Sequence, residues 1–351
     1  MITQLPVIAR RAAVLIGLAV ASSAAAQVVD PVFADDYDVF DLGSITDLPT
    51  PYGGLFIRAS EPDVLLIGGG ANQASAGIYS VPLVRGCDGS IAGFGGPATF
   101  VAAAPQIDGG LIVAPNGTMI YTAYPINQLG QIPAGETKPT RIDDLSGFDV
   151  LSSTGSIQWA PPTEGGVDGG VKILSYNGNT WYDGRLAPAE DGLFDLVDVS
   201  LRATIQGGPE GVVFVGASSP GFSGPTAIVS EWGAGSVGAW DVDAMGDPVP
   251  NTRRPFITGL SGAEGAAIDP VTGEFIFSTF GGGNRVLVVR GFELECAADV
   301  APSGGDGTVD FDDLLTVLSA WGQSCTGPDI DQSGAVDFAD VLAVVADWGP
   351  C

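Results

Sequence analysis

Short apolar runs separated by glycine-rich turns recur along most of the chain, from residue 27 to residue 295. They show no helical period, and strand-length apolar runs bounded by turn residues are typical of β-structure. Five of these runs open with a glycine, and successive openings lie 46 to 56 residues apart. The opening residues are Gly53, Gly109, Gly155, Gly211 and Gly265. A repeat of this length has the size of one four-stranded propeller blade.

The last repeat is one strand short. It offers apolar runs at residues 265–269, 274–279 and 285–290, whereas residues 37–42 form a free strand near the N-terminus. Pairing that strand with the last repeat closes the ring and leaves no long open sheet edge. We therefore predict a mainly β fold, a five-bladed β-propeller closed by strands from both ends. A six-bladed propeller is the alternative if a blade hides in a long connection, and a β-sandwich is the structural rival.

The C-terminal tail, residues 296–351, differs from this body because its apolar residues recur at helical spacing. Two sets of positions i, i+3, i+4 and i+7 lie 27 residues apart. The first set is Phe311, Leu314, Leu315, Leu318 and Trp321, and the second is Phe338, Val341, Leu342, Val345 and Trp348. This pattern predicts a small all-α domain in which two amphipathic helices pack against each other through these faces.

The loop before the second helix has the spacing of a calcium-binding loop. Oxygen-bearing side chains occupy positions 1, 3, 5, 9 and 12 of residues 329–340, glycine occupies position 6, and position 7 offers its backbone carbonyl. The predicted ligands are Asp329, Asp331, Ser333, Ala335, Asp337 and Asp340. Such a ring of oxygens surrounds Ca²⁺ in EF-hand loops.

A less regular copy of this loop precedes the first helix. Asp306, Asp310 and Asp313 match Ser333, Asp337 and Asp340, but Asp299 lies three residues too early to match the first ligand. It can join a shared Ca²⁺ only if three inserted residues loop out. The tail carries ten Asp and no Lys, Arg or Glu, so we expect cation binding and folding to be coupled.

The segments VDFDDLLTVLSAWG and VDFADVLAVVADWGPC resemble type I dockerins. In their order of residues they resemble the dockerin-like tails of secreted planctomycete-type bacterial proteins. The resemblance implies a paired EF-hand-like domain that holds Ca²⁺. It also implies a cohesin-like protein or a cell-surface component as partner. A solvated acidic linker is the plainer alternative, but linkers lack tryptophan and helically spaced apolar residues.

The residues just before the blade-opening glycines are Tyr52, Asp108, Thr154, Glu210 and Glu264. Because inner propeller strands line a central channel, these residues should surround one of its mouths. Three carboxylates at one place repel each other unless one is protonated or a cation binds. Asp108, Glu210 and Glu264 are therefore candidate catalytic residues, although acids before glycine are also common turn formers.

The segment GAEGAAIDPVTGEFIFSTFGGGNRVLVV resembles the blades of NHL and gluconolactonase-like propellers, and the body as a whole resembles a family of secreted bacterial propellers. In the gluconolactonase-like enzymes, a Glu that opens a blade in this way helps to hold a divalent metal that polarises a lactone. Glu210 and Glu264 match that position, whereas the Asn and Asp partners have no counterpart in the sequence pattern.

A second candidate site combines aromatic rings with polar side chains at Tyr176, Asn177, Asn179, Trp181, Tyr182 and Asp183. Sugars bind to proteins by stacking on aromatic faces and by hydrogen bonding, so this cluster is a candidate carbohydrate contact. The alternative is that the aromatic residues belong to the core.

Residues 1–26 have the pattern of an export signal: Arg10 and Arg11, an apolar run at 12–20, and a small-residue cleavage motif at 24–26. Their removal leaves 11 basic and 41 acidic residues, a net charge of −30. That charge argues against nucleic acids and anionic membranes as partners. Export permits disulfides, and we predict a bond between Cys296 and Cys351. Cys87 and Cys325 would then be free or joined to each other.

The chain contains no histidine, which excludes Ser-His-Asp catalysis and most zinc sites. The sequence thus predicts a signal peptide (1–26), a propeller (27–295) and a dockerin-like calcium-binding domain (296–351). We expect a secreted, extracellular or surface-held binding protein, with a possible glycan ligand and a role in polysaccharide catabolism. A metal-dependent hydrolase or lyase acting on carbohydrates or lactones at the channel mouth is the alternative.

Overall fold

The computed structural model describes residues 27–350 apart from 87, 162–168, 293–296, 302–306, 325–326 and 332. Two N-terminal strands, β1 (Val28–Val29) and β2 (Asp38–Gly43), precede the first blade. The predicted signal segment lies outside the described residues, as do all four cysteines and therefore the predicted disulfide.

Five blades follow in chain order, and each begins with the strand nearest the channel. Blade 1 contains β3 (Tyr52–Arg58), β4 (Glu61–Gly69), β5 (Gly77–Arg85), β6 (Ile91–Phe94) and β7 (Thr99–Ala103). Blade 2 contains β8 (Ile107–Val113), β9 (Met119–Ala123), β10 (Gln128–Ile132) and β11 (Arg141–Asp144). Blade 3 contains β12 (Thr154–Trp159), β13 (Gly170–Ser175), β14 (Thr180–Pro188) and β15 (Phe194–Thr204). Blade 4 contains β16 (Pro209–Val215), β17 (Thr226–Glu231), β18 (Ser236–Asp241) and β19 (Arg254–Thr258), and blade 5 contains β20 (Ala263–Ile268), β21 (Phe275–Thr279) and β22 (Val286–Arg290).

All neighbouring strands within a blade pair antiparallel, and the N-terminal strand β2 completes blade 5 by pairing with β22. The five-bladed fold and its closure by both chain ends are therefore confirmed. The sequence pattern did not predict that β1 would add a fifth strand to blade 4, beside β19, or that β6 and β7 would both pair with β5.

Glycine recurs in the inner strands because their backbones approach one another closely. A Cβ on Gly54 would lie 2.8 Å from the carbonyl carbon of Gly110. A Cβ on Gly110 would lie 2.5 Å from the nitrogen of Ile157, and one on Gly265 would lie 2.5 Å from the Cα of Gly54. No side chain fits at such distances, so glycine is needed where strands from neighbouring blades meet.

Polar contacts join blade 5 to blade 1. The guanidinium of Arg85 donates to both carboxylate oxygens of Asp269, at 2.7 and 2.8 Å. Glu274 accepts the backbone N–H of Ile91 at 3.1 Å and pairs with Arg290 at 2.9 Å. The bonds from Arg85 to Asp269 and from Ile91 to Glu274 cross the seam between blades 5 and 1.

An aromatic cluster packs the N-terminal segment against blades 4 and 5. Phe33 and Tyr37 lie between β1 and β2 and contact Phe222, Phe256 and Phe292, with ring centroids 4.7 to 5.9 Å apart. All five rings are buried. The segment that supplies the closing strand is thus held by the core as well as by strand pairing.

In the tail, each predicted helix forms after its acidic loop. Strand β23 (Thr308–Val309) pairs with β24 (Gly349–Pro350), and the helices are α1 (Phe311–Ser319) and α2 (Phe338–Ala346). Both helices begin with a capping box, in which the N-cap and N3 carboxylates accept backbone N–H groups.

The prediction that the helices pack through their strongest apolar faces is wrong. The tail core contains Val309, Val317, Val336 and Val344, with Leu314 and Val341 only partly buried beside it. Eight large apolar side chains are instead 46 to 62% exposed: Phe311, Leu315, Leu318, Trp321, Phe338, Leu342, Val345 and Trp348. The reason is that Asp313 and Asp340, the N3 residues of the two helices, are fully buried, so each helix turns this carboxylate inward and its apolar stripe outward.

Among the described residues, no helix combines the length and the hydrophobicity needed to cross a bilayer.

Candidate functional site

The inner strands bring three of the five predicted mouth residues together. Asp108, Glu210 and Glu264 are the second residues of β8, β16 and β20. One carboxylate oxygen of each lies within 4.8 Å of the others, and the residues are 1, 4 and 1% exposed. We call these three residues the mouth cluster.

The other two predicted mouth residues take part in structural hydrogen bonds. The hydroxyl of Tyr52 accepts the backbone N–H of Ile45 at 2.8 Å, and the hydroxyl of Thr154 donates to the side-chain oxygen of Asn127 at 2.6 Å. Both hydroxyls are thus engaged with other groups, and only Asp108, Glu210 and Glu264 bring carboxylate oxygens together.

Burial changes the electrostatics of the mouth cluster. Desolvation raises the pKa of Asp108 from 3.8 to about 8, against the opposing effect of hydrogen bonds from Glu264, Glu210, Asn72 and Gly109. Desolvation and repulsion between the carboxylates raise the pKa values of Glu210 and Glu264 well above 4.5. No basic side chain contributes to any of these three shifts. At neutral pH the cluster must therefore hold protons or a cation.

The oxygen atoms of the mouth cluster fit a hard divalent cation. Oδ2 of Asp108, Oε2 of Glu210 and Oε1 of Glu264 are buried and have no hydrogen-bond partner among the described residues. Carboxylate oxygens within this range of each other are the ligands that Ca²⁺ prefers. The cluster is thus chemically suited to hold a divalent cation.

Asn72 belongs to the same site, and no sequence pattern indicated it. It follows β4 and has a left-handed backbone with φ of 63°, and its N–H donates to the carbonyl of Ile107 at 3.0 Å. Its side chain opposes the rise in the Asp108 pKa through a hydrogen bond, while its own Oδ1 is buried and has no partner among the described residues. The only sequence signal is that Asn tolerates positive φ in a turn.

Four aromatic residues lie at the same end of the blades as the mouth cluster. Tyr124, Tyr176, Trp232 and Phe280 each follow the second strand of a blade, in blades 2 to 5. We call these four residues the aromatic arc. In each case the backbone N–H donates to the residue just before that blade's inner strand, at 2.7 to 3.0 Å.

Successive rings of the aromatic arc contact one another. Their centroids lie 6.2, 5.7 and 6.1 Å apart, and their planes make angles of 84, 88 and 77°. In blade 1 the equivalent position is Ala71, whose N–H donates to the carbonyl of Pro51. Desolvation raises the pKa of Tyr176, and the charges of Glu210, Glu264 and Asp108 add to that shift.

The predicted carbohydrate contact around residue 176 does not form a surface. Trp181 and Tyr182 are 0 and 3% exposed, and the indole N–H of Trp181 donates to Asp247 at 3.2 Å. Asp183 forms ion pairs with Lys172 and Arg202. The alternative stated above applies to Trp181 and Tyr182, which belong to the core. Asn177 and Asn179 bond to Ser153 and Gly208, and Tyr176 is only partly buried.

In the second tail loop, Asp329, Asp331 and Asp340 offer oxygen atoms within 4.8 Å of one another. Asp340 accepts the N–H groups of Ile330, Asp331 and Asp337 at 2.7 to 3.2 Å. Asp329 accepts those of Ser333 and Gly334 at 3.0 and 2.8 Å. Burial raises the pKa of Asp329, against the opposing effect of the Gly334 bond.

The remaining predicted ligands of this loop lie beside those carboxylates. The Ser333 hydroxyl donates to the carbonyl of Ala335 at 3.2 Å. Asp337 is the N-cap of α2, and its carboxylate accepts the N–H of Ala339 at 2.7 Å.

The first loop repeats this network despite its inserted residues. Asp313 accepts the N–H groups of Val300, Ala301 and Asp310 at 2.7 to 2.8 Å, as Asp340 does in the second loop. Asp299 accepts the N–H of Gly307 at 2.7 Å, the counterpart of the bond from Gly334 to Asp329. Asp310 caps α1, and Asp306 lies outside the described residues.

No protein-family model matches the chain, and no curated protein matches its sequence. Similar solved structures include the PQQ domain of pyranose dehydrogenase from Coprinopsis cinerea, with 9% identity, a TM-score of 0.43, and coverage of 76% of this chain and 97% of that one. An auxiliary nutrient binding protein from Bacteroides ovatus has 14% identity, a TM-score of 0.40 and coverage of 73 and 76%. A putative gluconolactonase has 15% identity, a TM-score of 0.38 and coverage of 75 and 85%. These values carry no conclusion about ligand or activity.

Proposed function

We propose that this protein is a secreted binding protein for extracellular polysaccharide handling, whose propeller takes up a ligand at the channel mouth. Its dockerin-like tail anchors it, in a Ca²⁺-dependent way, to a cohesin-like protein or another cell-surface component. The observation that carries the proposal is the pair of exposed apolar stripes on the tail helices.

A small, highly acidic domain gains nothing in solubility from such stripes. Phe311, Trp321, Phe338 and Trp348 are 60, 51, 62 and 51% exposed. Exposed aromatic and aliphatic residues gathered on one helix face are typical of surfaces that a partner covers. The two stripes occupy equivalent positions on α1 and α2, which supports a docking role for the tail.

Calcium enters the proposal through the two acidic loops. They hold Asp313 and Asp340 fully buried, and each loop leads directly into the helix that carries a stripe. We propose that Ca²⁺ is bound by Asp329, Asp331, Ser333, Ala335, Asp337 and Asp340 in the second loop. The proposed ligands in the first loop are Asp299, Asp306, Asp310 and Asp313.

Retention on the cells that secrete the protein tests the anchoring role. The full mature chain should stay on intact cells in Ca²⁺ and leave them in excess chelator. The double variant Trp321→Ala and Trp348→Ala should not be retained in either condition. Phe100→Ala removes a ring that is 54% exposed on the propeller and should behave as the wild type. The proposal would be overturned if the wild-type chain stayed on the cells in excess chelator and the double tryptophan variant were retained as well.

A second function, a metal-dependent hydrolase or lyase, is supported by the mouth cluster. Its three buried carboxylates, with unpartnered oxygens, suit a divalent cation, which would supply polarisation of a carbonyl group when bound. Asp108, Glu210 and Glu264 would hold that cation through their carboxylate oxygens.

Activity on sugar lactones distinguishes the two functions. Lactone opening releases acid, which a pH-stat detects directly. The enzyme function predicts cation-dependent turnover by the wild type and its loss in Glu264→Gln, which keeps the shape of the side chain and removes its charge. The enzyme function would be rejected if Glu264→Gln kept its turnover, or if the wild type showed no turnover with Ca²⁺, Mn²⁺ or Zn²⁺. Only the binding function would then remain.

A further inference from the structure

The four rings of the aromatic arc would not serve as ligands of a cation in the mouth cluster, and they are not part of the hydrophobic core. Trp232 is 37% exposed, and Tyr124, Tyr176 and Phe280 are half-buried. Four blades of different sequence place an aromatic ring at one equivalent position, after the second strand. A packing role alone would not keep these rings in contact with solvent beside buried carboxylates.

We propose that the aromatic arc is a binding site for the ring of a saccharide, with Tyr176 and Trp232 as its central contacts. This proposal rests on the proposed binding function and names the chemical class of its ligand. A sugar ring has apolar C–H faces that stack on aromatic rings and hydroxyl groups that hydrogen-bond at its edge.

The polar tips of the arc favour this ligand over a purely apolar one. Among the described residues, the hydroxyls of Tyr124 and Tyr176 and the indole N–H of Trp232 make no hydrogen bond. An apolar ligand would cover these groups without satisfying them, which is costly, whereas sugar hydroxyls can pair with them.

The main competing ligand for aromatic rings above carboxylates is an organic cation. A quaternary ammonium group uses only the faces of the rings, so it gives no role to the two tyrosine hydroxyls. The carboxylate oxygens without partners are also buried, which suits a small bare ion better than a bulky ammonium group. The arc therefore fits a hydroxylated ring better than a bulky cation.

Calorimetric titration of the full mature chain in excess Ca²⁺ tests the proposal, with a panel of neutral methyl pyranosides and the matching oligosaccharides as probes. At least one saccharide should bind. Trp232→Ala and Tyr176→Ala should each weaken it by about fivefold, and Tyr176→Phe, which keeps the ring, should weaken it less. Thermal unfolding of each variant checks that the propeller remains folded.

Phe100→Ala is the matched control, because Phe100 packs edge to face on Tyr79, with centroids 5.6 Å apart, in blade 1. Its loss should leave saccharide affinity unchanged. The proposal is overturned if no saccharide in the panel binds, or if Phe100→Ala weakens binding as much as Trp232→Ala does. It is also overturned if tetramethylammonium binds, Trp232→Ala abolishes that binding, and saccharides fail. Retention of the chain on cells through its tail is scored separately, so failure at the mouth and failure of the anchoring function are distinguishable.

Discussion

The mouth cluster and the second tail loop each place three carboxylates within 4.8 Å of one another, yet they satisfy these charges in different ways. In the tail, Asp329 and Asp340 accept backbone N–H groups from the loop around them. At the mouth, each acid keeps an oxygen without a partner, and burial raises all three pKa values.

The different surroundings of the two carboxylate clusters lead to a separate expectation for the role of a cation at each site. The inner strands of the propeller are bonded into sheets, so the mouth cluster is held in place whether it carries protons or a cation. The described part of the tail has a core of six buried residues, and the tail carries ten Asp without a basic residue. We therefore expect the cation to control folding in the tail and protonation at the mouth.

The largest expected effect is the loss of the tail helices on calcium removal. Excess chelator should remove the helical part of the far-UV circular dichroism signal, because uncompensated aspartates repel one another in so small a domain. The β signal of the propeller should persist. A helical signal that survives complete chelation would show that backbone hydrogen bonds alone hold the tail.

Alanine variants of two aspartates near the helix N-termini distinguish a predicted calcium ligand from a residue that is not one. Asp337→Ala should weaken the second calcium site by about tenfold or more and also remove the N-cap of α2, worth about 1 kcal/mol. Asp312→Ala is the control, since Asp312 is exposed and caps nothing. Calcium titration by calorimetry measures both. Equal losses in the two variants would contradict the assignment of position 9 as a ligand.

Without divalent cations, the mouth cluster should make the propeller less stable as pH rises. The pKa of Asp108 is raised from 3.8 to about 8, so the folded state holds more protons than the unfolded state between these values. The stabilisation is fully present below about pH 4 and is lost as pH rises toward 8. Thermal unfolding of the propeller in chelator, followed across this range, should show a falling Tm, and added Ca²⁺ should restore it. A Tm in chelator that rises over this range would mean that another group dominates.

The smallest effect is expected from Glu264→Gln. Replacing one buried acid by a neutral group of the same shape removes repulsion with Asp108, so the variant in chelator at pH 8 should unfold a few degrees above the wild type. It should also lose the Ca²⁺-induced rise in Tm that the wild type shows. Scanning calorimetry measures both quantities. A variant that keeps the full Ca²⁺ response would place the cation elsewhere.

The repeats and the loops could be predicted because they depend on local chemistry. The glycines that open the inner strands, the strand that closes blade 5 and the acidic loop at residues 329–340 are each visible as short-range patterns. The predicted strands at 274–279 and 285–290 begin only one residue before the observed β21 and β22. The strand β1 was missed because two valines give too short a pattern.

The helical period of the apolar residues did not predict which face of each tail helix is buried. In α1 and α2, spacing alone favoured burial of the larger apolar residues, whereas the structure buries Asp313 and Asp340 with Val317 and Val344. A carboxylate that caps a helix and bonds to its own loop must face that loop, and this constraint decides which side of the helix is inward. The apolar stripes are left outside as a consequence.

The amino-acid sequence by itself determined the blade repeat, the closure of the ring and the spacing of the acidic residues in the tail loops, because strand period, turn residues and loop spacing act between near neighbours. Only the tertiary structure decided that Asp108, Glu210 and Glu264 converge, that Asn72 joins them and that Tyr176 and Trp232 lie in one arc. These residues come from different blades, and their distances depend on how closely glycine lets the inner strands approach.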